Sequence, residues 1–375
     1  MGNTIRNEYK PELVSAPGDT LLETLETIGM SQAALARRMG RPIKTINEII
    51  QHKAAITPET ALQLEHVLRI PASFWINREQ HYRESLARFT EKQRLASWIP
   101  WLEELPIREM AYRGWMPVCI GQSQQVAASL QFFGVASPDA WRNVWADRAV
   151  AHRESTFQPH AGNFGAVAAW LRQGEIEAQE IETAPYNANG MHKAFKHIRK
   201  LTIEPVSTFR EEIVRECANA GVAVVFVPEL PGIGMSCATQ WLTPTKALMQ
   251  LSLRYKTDDH FWFAFFHAAG HLLRHGKRQV FLEVDQQKRT VAEEEADIFA
   301  ANILIDPIQW QQFVKRNYYH SKAGIEKFAQ EVGIVPGIVV GRLQHEGCLP
   351  FDHHNELKRR LVWDSEPPVE QKKAL

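Results

Sequence analysis

The sequence predicts a multidomain, mainly α-helical protein with an α+β domain in its C-terminal part. Residues 18–85 carry short helical segments with cap residues, typical of an all-α helix-turn-helix domain. Residues 86–200 are rich in tryptophan and mostly helical in pattern. From 201 to 350, β-branched runs give way to helices. We expect residues 1–17 to form an N-terminal arm and 351–375 a C-terminal tail.

The composition is that of a globular protein without a global charge field. The 375 residues include 43 basic and 43 acidic side chains, and 45% are hydrophobic. Four widely spaced cysteines argue against a disulfide framework and suit a reducing cytoplasm. No uncharged run approaches the length of a membrane span, and the N-terminus lacks the apolar core of a signal peptide. These features predict a cytoplasmic protein.

Residues 31–53, SQAALARRMGRPIKTINEIIQHK, have the layout of a helix-turn-helix. Ser31 is a candidate N-cap, Gly40 permits the tight turn, and Pro42 can open the second helix. The inward-facing positions of that helix would be Ile46, Ile49 and Ile50. The candidate DNA contacts are Gln32, Arg41, Ile43, Lys44, Thr45, Asn47 and Lys53.

The same segment carries a local positive charge. Residues 31–55 include five basic side chains and one acidic side chain, a net charge of +4 that suits contacts with phosphate groups. A further helix is predicted to start after Thr57, a candidate cap, with Pro58 at its first position. The alternative is a generic small helical bundle whose basic residues are merely solvated.

From Pro17 to Asn77 the sequence resembles the Cro/repressor-type domain of HigA-family antitoxins. The similarity includes the segments ITPETAL and FWIN, which simple helix-turn-helix proteins lack. The resemblance implies double-stranded operator DNA as a partner and a homodimer that presents two recognition helices to two half-sites. Pro42 and Ile43 stand where relatives usually have a polar residue, so the operator sequence cannot be transferred from them.

The region after the helix-turn-helix contains six tryptophans, which could line a ligand pocket or pack as an ordinary helical core. Further along, the helix TFREEIVRECANAG ends at Gly221 and leads into VAVVFVPEL, a run typical of a buried strand. The segments ATQWL and ALMQLSL predict two more strands. A helix with two histidines then follows.

That helix contains the stretch FFHAAGHLLRHG, residues 265–276. His267 and His271 are four residues apart and therefore lie on one face, where both rings can bind one metal ion. In the zinc peptidase motif H-E-x-x-H the glutamate is the general base, and Ala268 occupies that position here. His275 lies off the stripe of the other two, so we expect a helix-end residue rather than a ligand.

A second helix, VAEEEADIFAANILIDP, can supply the third ligand. Glu293 and Asp297 lie four residues apart, which predicts Glu293 as the ligand and Asp297 as the carboxylate that orients a histidine ring. Glu294 and Glu295 remain alternatives to Glu293, because three consecutive glutamates leave the register open. Without a metal, the same pattern would be two core histidines and a solvated acidic face.

From residue 193 to 347 the chain resembles the ImmA/IrrE family of zinc metallopeptidases. The similarity is greatest in DDHFWFAFFHAAGHLLRHG and EEEADIFAANILIDP. The resemblance implies a gluzincin-like α+β fold, a Zn²⁺ cofactor, and cleavage of a repressor-like protein or of the chain itself in a stress or phage response. It also implies a bacterial or phage-encoded protein associated with the nucleoid.

Ala268 leaves the metal ligands in place and removes the general base, so we expect the peptidase to be inactive. The alanine is either natural, in a pseudoprotease, or a deliberate replacement of the glutamate. Retention of both histidines, Gly270, Glu293 and Asp297 favours a single recent change. The alternative function is a HigA-like antitoxin and autorepressor whose C-terminal domain binds a toxin or senses a ligand.

Overall fold

The computed structural model describes residues 14–150, 164–252, 256–276, 280–284 and 290–361. The chain forms two compact units, one ending at Trp98 and the other starting at Ile99. Residues 1–13 of the predicted arm and residues 362–375 of the predicted tail lie outside the described residues. The architecture is mainly helical, with one small sheet in the C-terminal unit.

From residue 14 onward, where it is described, the N-terminal unit consists of five helices, α1 (Pro17–Thr27), α2 (Gln32–Met39), α3 (Ile43–Ile50), α4 (Pro58–Leu68) and α5 (Ala72–Ser97). The predicted caps are confirmed: the Ser31 hydroxyl accepts a hydrogen bond from the Ala34 N–H, and the Thr57 hydroxyl accepts one from the Thr60 N–H. Gly40 ends α2 with φ of 66°, a left-handed conformation that glycine adopts at no steric cost.

The core of this unit is formed by side chains from all five helices, among them Leu21, Leu25, Leu35, Ile46, Ile49, Leu64 and Trp75. Helix α5 continues without interruption through residues 85 and 86, where the sequence predicts a domain boundary. The two units divide instead at the end of α5. The sequence of α5 is highly charged and only weakly periodic, so it does not indicate where the helix ends. The full length of 26 residues is seen only in the structure.

The C-terminal unit begins with six helices, α6 (Ile107–Tyr112), α7 (Gln122–Phe133), α8 (Pro138–Val150), α9 (Phe164–Gln179), α10 (Ala188–Lys200) and α11 (Val206–Ala218). The strands β1 (Val222–Phe226), β2 (Met235–Thr243) and β3 (Lys246–Leu251) follow, then α12 (Asp258–Arg274) and β4 (Phe281–Val284). The last helices are α13 (Val291–Leu304), α14 (Pro307–Lys315), α15 (Lys322–Val332) and α16 (Pro336–His345).

The four strands form one sheet in the order β1-β3-β2-β4. β1 pairs with β3 in parallel, and the other two pairings are antiparallel. The three strands predicted from the sequence are confirmed. The sequence analysis missed β4, which has four residues and pairs with β2 at the edge of the described sheet.

The tryptophan-rich helices belong to the same unit as the sheet, and no division falls at residue 200, where the sequence predicts one. The Trp170 indole N–H on α9 donates to the Val227 carbonyl, and the Gln250 amide of β3 donates to the Trp170 carbonyl. On α10, Phe195 lies in the core cluster that also contains β1, β3 and α12. Trp101 and Trp141 pack edge-on against each other, and both contact the Phe133 ring. This packing favours the interpretation that the tryptophans form an ordinary helical core rather than line a ligand pocket.

The segment after α16 holds the start of α12. The Asp258 N–H donates to the Arg359 carbonyl, the Arg359 guanidinium donates to the Asp258 carboxylate, and Lys358 forms an ion pair of 2.7 Å with Asp259. Residues 351–361 are therefore part of the folded unit, and the prediction that they belong to a tail is wrong. No helix in the described part of the chain is both long and apolar enough to cross a membrane.

This contact should make stability depend on pH. Burial, reinforced by the neighbouring Asp259, raises the pKa of Asp258 to about 6 against an ordinary value of 3.8. Folding therefore favours the protonated form, and the stability that protonation contributes is lost as the pH rises through 6. As the pH rises from about 4 to about 6, the free energy of unfolding of the parent chain should fall relative to that of Asp258→Asn. Denaturant unfolding of both proteins at several pH values measures this difference. A difference that does not change with pH would contradict this expectation.

Candidate metal centre and DNA-contacting helix

Helix α12 is apolar on nearly all sides and lies in the interior of the C-terminal unit. His267 and His271 are 2% and 3% exposed, so their polar atoms need partners inside the protein. As the four-residue spacing predicts, both rings project from one face, and their Nε2 atoms are 2.9 Å apart. The Phe281 ring of β4 stacks on the His271 ring at 4.2 Å between centroids and restricts its rotation.

Helix α13 brings a carboxylate to the same point. Glu293 Oε2 lies 3.1 Å from His267 Nε2 and 3.6 Å from His271 Nε2. The two helices approach closely because Gly270 has no side chain: a Cβ added there would lie 3.0 Å from the Ala296 Cα. Of the three consecutive glutamates, Glu293 is therefore the one that the structure places with the two histidines.

The predicted orienting carboxylate also lies where the sequence analysis places it. Asp297 Oδ1 is 2.9 Å from His267 Nδ1, the ring nitrogen on the side away from Glu293. A carboxylate at this nitrogen favours a proton on Nδ1, so a metal ion could take the Nε2 lone pair in place of the hydrogen bond from Nε2 to Glu293. This is the second-carboxylate arrangement commonly found behind histidine metal ligands.

A second chain of contacts runs from the other histidine. His271 Nδ1 is 3.0 Å from His275 Nδ1, and His275 Nε2 is 3.2 Å from Glu295 Oε2. The sequence analysis assigned no role in the site to His275 and considered Glu295 only as an alternative ligand. The four-residue spacing from His271 to His275 is the signal that could have indicated this contact.

The electrostatics of the cluster favour binding of a cation. Burial by itself would raise the pKa of Glu293, but hydrogen bonds with His267 and His271 outweigh it and lower the pKa to about 2. Burial is also the main cause that lowers the pKa of His271 below its ordinary value. At neutral pH the cluster therefore offers an ionised carboxylate and a neutral His271 ring, the forms that bind metals.

The geometry of the three groups fits a zinc ion. At zinc–nitrogen and zinc–oxygen bond lengths of about 2.0–2.2 Å, ligand atoms of a tetrahedral site are about 3.4 Å apart. The three separations between the Nε2 atoms and Glu293 Oε2 are 2.9, 3.1 and 3.6 Å. Three protein ligands leave the fourth position to water or a substrate, as in catalytic rather than structural zinc sites.

Ala268 is fully buried, one residue after His267 on α12, and belongs to the apolar core cluster. A methyl group at this position offers neither a proton acceptor nor a hydrogen-bond donor. The site thus combines three candidate metal ligands with a residue that cannot ionise, at the position that the H-E-x-x-H motif gives to its glutamate.

The second candidate site lies on the helix-turn-helix of the N-terminal unit. Lys44 is on α3 with its side chain 83% exposed, and Ile43 is 49% exposed at the start of that helix. Lys53 is also exposed, whereas Gln32 and Thr45 are half-buried. These positions are compatible with a helix that presents its first turn to a groove.

Two of the predicted DNA contacts, Arg41 and Asn47, are only partly exposed. Arg41 donates to the Gln63 amide oxygen at 2.5 Å and forms an ion pair of 3.1 Å with Glu59, so it holds α4 against the turn. Asn47 is half-buried, and its Oδ1 atom is buried without a hydrogen-bond partner among the described residues. Lys44 and Lys53 are the exposed basic side chains of the predicted set. Lys44 forms an ion pair of 3.8 Å with Glu48, and the Lys53 ammonium donates to the Gln51 amide oxygen at 2.9 Å.

Comparisons with known proteins find relatives of the N-terminal part of the chain. The chain is 34% identical over 61 residues to the uncharacterized HTH-type transcriptional regulator YddM of Escherichia coli, covering 16% of this chain and 65% of that protein. It is 34% identical over 85 residues to virulence-associated protein I of Dichelobacter nodosus, covering 22% of this chain and 78% of that protein. In its N-terminal part the chain is therefore similar to a helix-turn-helix transcriptional regulator, of whose length it covers slightly less than two thirds.

Solved structures of HigA proteins are also similar to this part of the chain. A HigA-family addiction module antidote protein from Coxiella burnetii is 26% identical, with 22% of this chain and 92% of that chain covered and a TM-score of 0.21. Pseudomonas aeruginosa antitoxin HigA with the higBA promoter is 28% identical, with 22% and 90% covered and a TM-score of 0.21. No protein-family model matches the chain.

Proposed function

We propose that the chain is a DNA-binding transcriptional regulator. Its C-terminal unit carries a zinc site of the ImmA/IrrE metallopeptidase type in which Ala268 replaces the glutamate that acts as general base. The observation that carries the proposal is the convergence of His267, His271 and Glu293, with Asp297 behind the first ring. Two unrelated core histidines would not require a largely buried, ionised carboxylate between them, with 12% of its side chain exposed, and a second carboxylate behind one of them.

Each residue of the centre has a distinct role in this proposal. The two imidazoles and the Glu293 carboxylate hold the metal, and Asp297 orients the His267 ring. A bound zinc ion would supply a water of lowered pKa and polarise a peptide carbonyl. A glutamate at position 268 would take the proton of that water, and Ala268 cannot do so. The chain as it stands therefore binds the metal without efficient peptide hydrolysis.

The active form of such a protein would cut a repressor-like partner or its own chain in response to stress or phage infection. Coupling of a DNA-binding unit to a peptidase-like unit in one polypeptide supports this proposal, because cleavage would change occupancy of the operator. The natural occurrence of alanine at position 268 would instead make the C-terminal unit a pseudoprotease that uses the metal site for binding or sensing.

The N-terminal unit supports double-stranded DNA as a partner. Its helix-turn-helix relatives, the exposed first turn of α3 and the local charge of +4 over residues 31–55 point to operator binding, with a homodimer matching two half-sites. The HigA similarity gives the second candidate function, an autorepressing antitoxin whose C-terminal unit masks a toxin. A toxin gene beside this one and binding of its product would favour that alternative.

Salt dependence tests the DNA interface. We expect Lys44→Gln and Lys53→Gln each to weaken binding to a mixed-sequence duplex and to reduce the slope of log K against log salt by about 0.9 for each lost phosphate contact. Lys92→Gln, an exposed lysine on α5 outside the helix-turn-helix, is the matched control and should leave the slope unchanged. Equal slopes for all four proteins, measured by fluorescence anisotropy, would place the interface elsewhere.

A further inference from the structure

On the side away from Glu293, the His271 ring contacts His275, which in turn contacts Glu295. Every ring nitrogen of His267, His271 and His275 lies within 3.3 Å of a polar partner among them or on Glu293, Glu295 and Asp297. The His267 ring has a carboxylate directly behind it, whereas the His271 ring reaches one only through another imidazole.

We propose that His275 and Glu295 form a relay that orients His271 for metal binding and holds its proton on Nδ1. The inference rests on the proposed metal site and adds two residues to it. Neither residue binds the metal in this arrangement; both act through His271 and are positioning residues.

The direction of the hydrogen bonds follows from the requirements of the centre. A neutral imidazole that offers the Nε2 lone pair to a metal carries its proton on Nδ1. His271 Nδ1–H therefore donates to His275 Nδ1, which must accept with its lone pair. His275 in turn carries its proton on Nε2 and donates to the Glu295 carboxylate. The reverse order would place a proton on the metal-facing nitrogen of His271 and block coordination.

The position of His275 makes this geometry possible. It is the C-cap of α12, with extended backbone angles (φ −109°, ψ 162°), and its N–H still donates to the His271 carbonyl. Leaving the helix at this residue brings the ring back towards His271 and towards α13, where Glu295 lies two residues after Glu293. The ring is packed near Phe281, at 5.2 Å between centroids.

Removing a residue that orients a metal ligand without binding the metal typically lowers metal affinity by about 10- to 100-fold. His275→Phe keeps a planar ring and removes the acceptor, so zinc affinity should fall by about that factor. His275→Asn should restore much of it, because an asparagine oxygen can accept the bond from His271 Nδ1. Glu295→Gln, at a half-exposed site where folding is not at risk, should weaken zinc binding less than His275→Phe does.

The measurements are zinc affinity by competition with a chromophoric chelator and the absorption spectrum of the cobalt(II)-substituted full-length chain. A change in the cobalt spectrum of His275→Phe that His275→Asn reverses would show an effect on ligand geometry, which a purely structural residue would not produce. His320→Phe, an exposed histidine far along the chain, serves as the matched control.

The outcomes separate the two proposals. Zinc binding by the parent chain with unchanged affinity and cobalt spectrum in both His275→Phe and Glu295→Gln would overturn the relay and leave the metal site intact. Failure of the parent chain to bind zinc would overturn the metal site, and the relay with it. Weaker binding in His275→Phe, rescue by His275→Asn and no effect of His320→Phe is the result that we expect.

Discussion

The purified full-length chain is expected to bind one zinc ion, and His267→Ala, His271→Ala and Glu293→Ala are each expected to lose most of that affinity. A zinc site in a protein is worth about 10–16 kcal/mol in total for four ligands, so one ligand contributes about 3 kcal/mol, a factor of about 10² or more in the dissociation constant. The effect should be largest for Glu293→Ala, because Glu293 is, among the described residues, the carboxylate that contacts both histidines.

Metal content by mass spectrometry and affinity by chelator competition provide the measurement. Glu326→Ala, an exposed glutamate on α15 distant in sequence from the cluster, is the matched control for Glu293→Ala. The Asp297→Asn variant should show an intermediate loss of about 10- to 100-fold, since it perturbs His267 without removing a ligand. Negligible zinc in the parent and in all variants would rule out the metal centre and leave a buried hydrogen-bond network.

Ala268→Glu is expected to raise peptide hydrolysis by about 10²- to 10⁴-fold over the parent chain, the usual contribution of general base catalysis. The three candidate ligands already lie together, so this one side chain would complete the H-E-x-x-H motif. The matched control is Ala268→Gln, which has nearly the same shape and cannot take a proton at neutral pH.

The readout is time-dependent cleavage of the zinc-loaded chain, followed by intact mass spectrometry, together with a fluorogenic protein substrate. Circular dichroism of each variant tests whether the new side chain at this fully buried position leaves the fold intact. Cleavage by Ala268→Glu and not by Ala268→Gln would identify a peptidase that lacks only its base. Continued inactivity of a folded, zinc-loaded Ala268→Glu chain would support the pseudoprotease and, with it, the antitoxin or sensor alternative.

The sequence predicted the structure correctly where the interactions involved lie within a few residues of one another. Ser31 and Thr57 cap their helices as predicted, since a hydroxyl directly before a helix meets free N–H groups whatever surrounds it. Three strands were predicted from β-branched runs, and the paired histidines from their four-residue spacing. Domain boundaries were less accurate: α5 passes through the first predicted boundary, and the tryptophan-rich helices pack on the sheet across the second.

The sequence by itself determined that His267 and His271 share a face and that a carboxylate-rich helix follows, because these depend on the 100° turn per residue within one helix. Only the tertiary structure decided which glutamate faces them. That choice depends on how α13 is rotated and seated on α12, which the close contact of Gly270 with Ala296 sets. The same seating brings Glu295 to His275, a contact between helices that no spacing within either helix can specify.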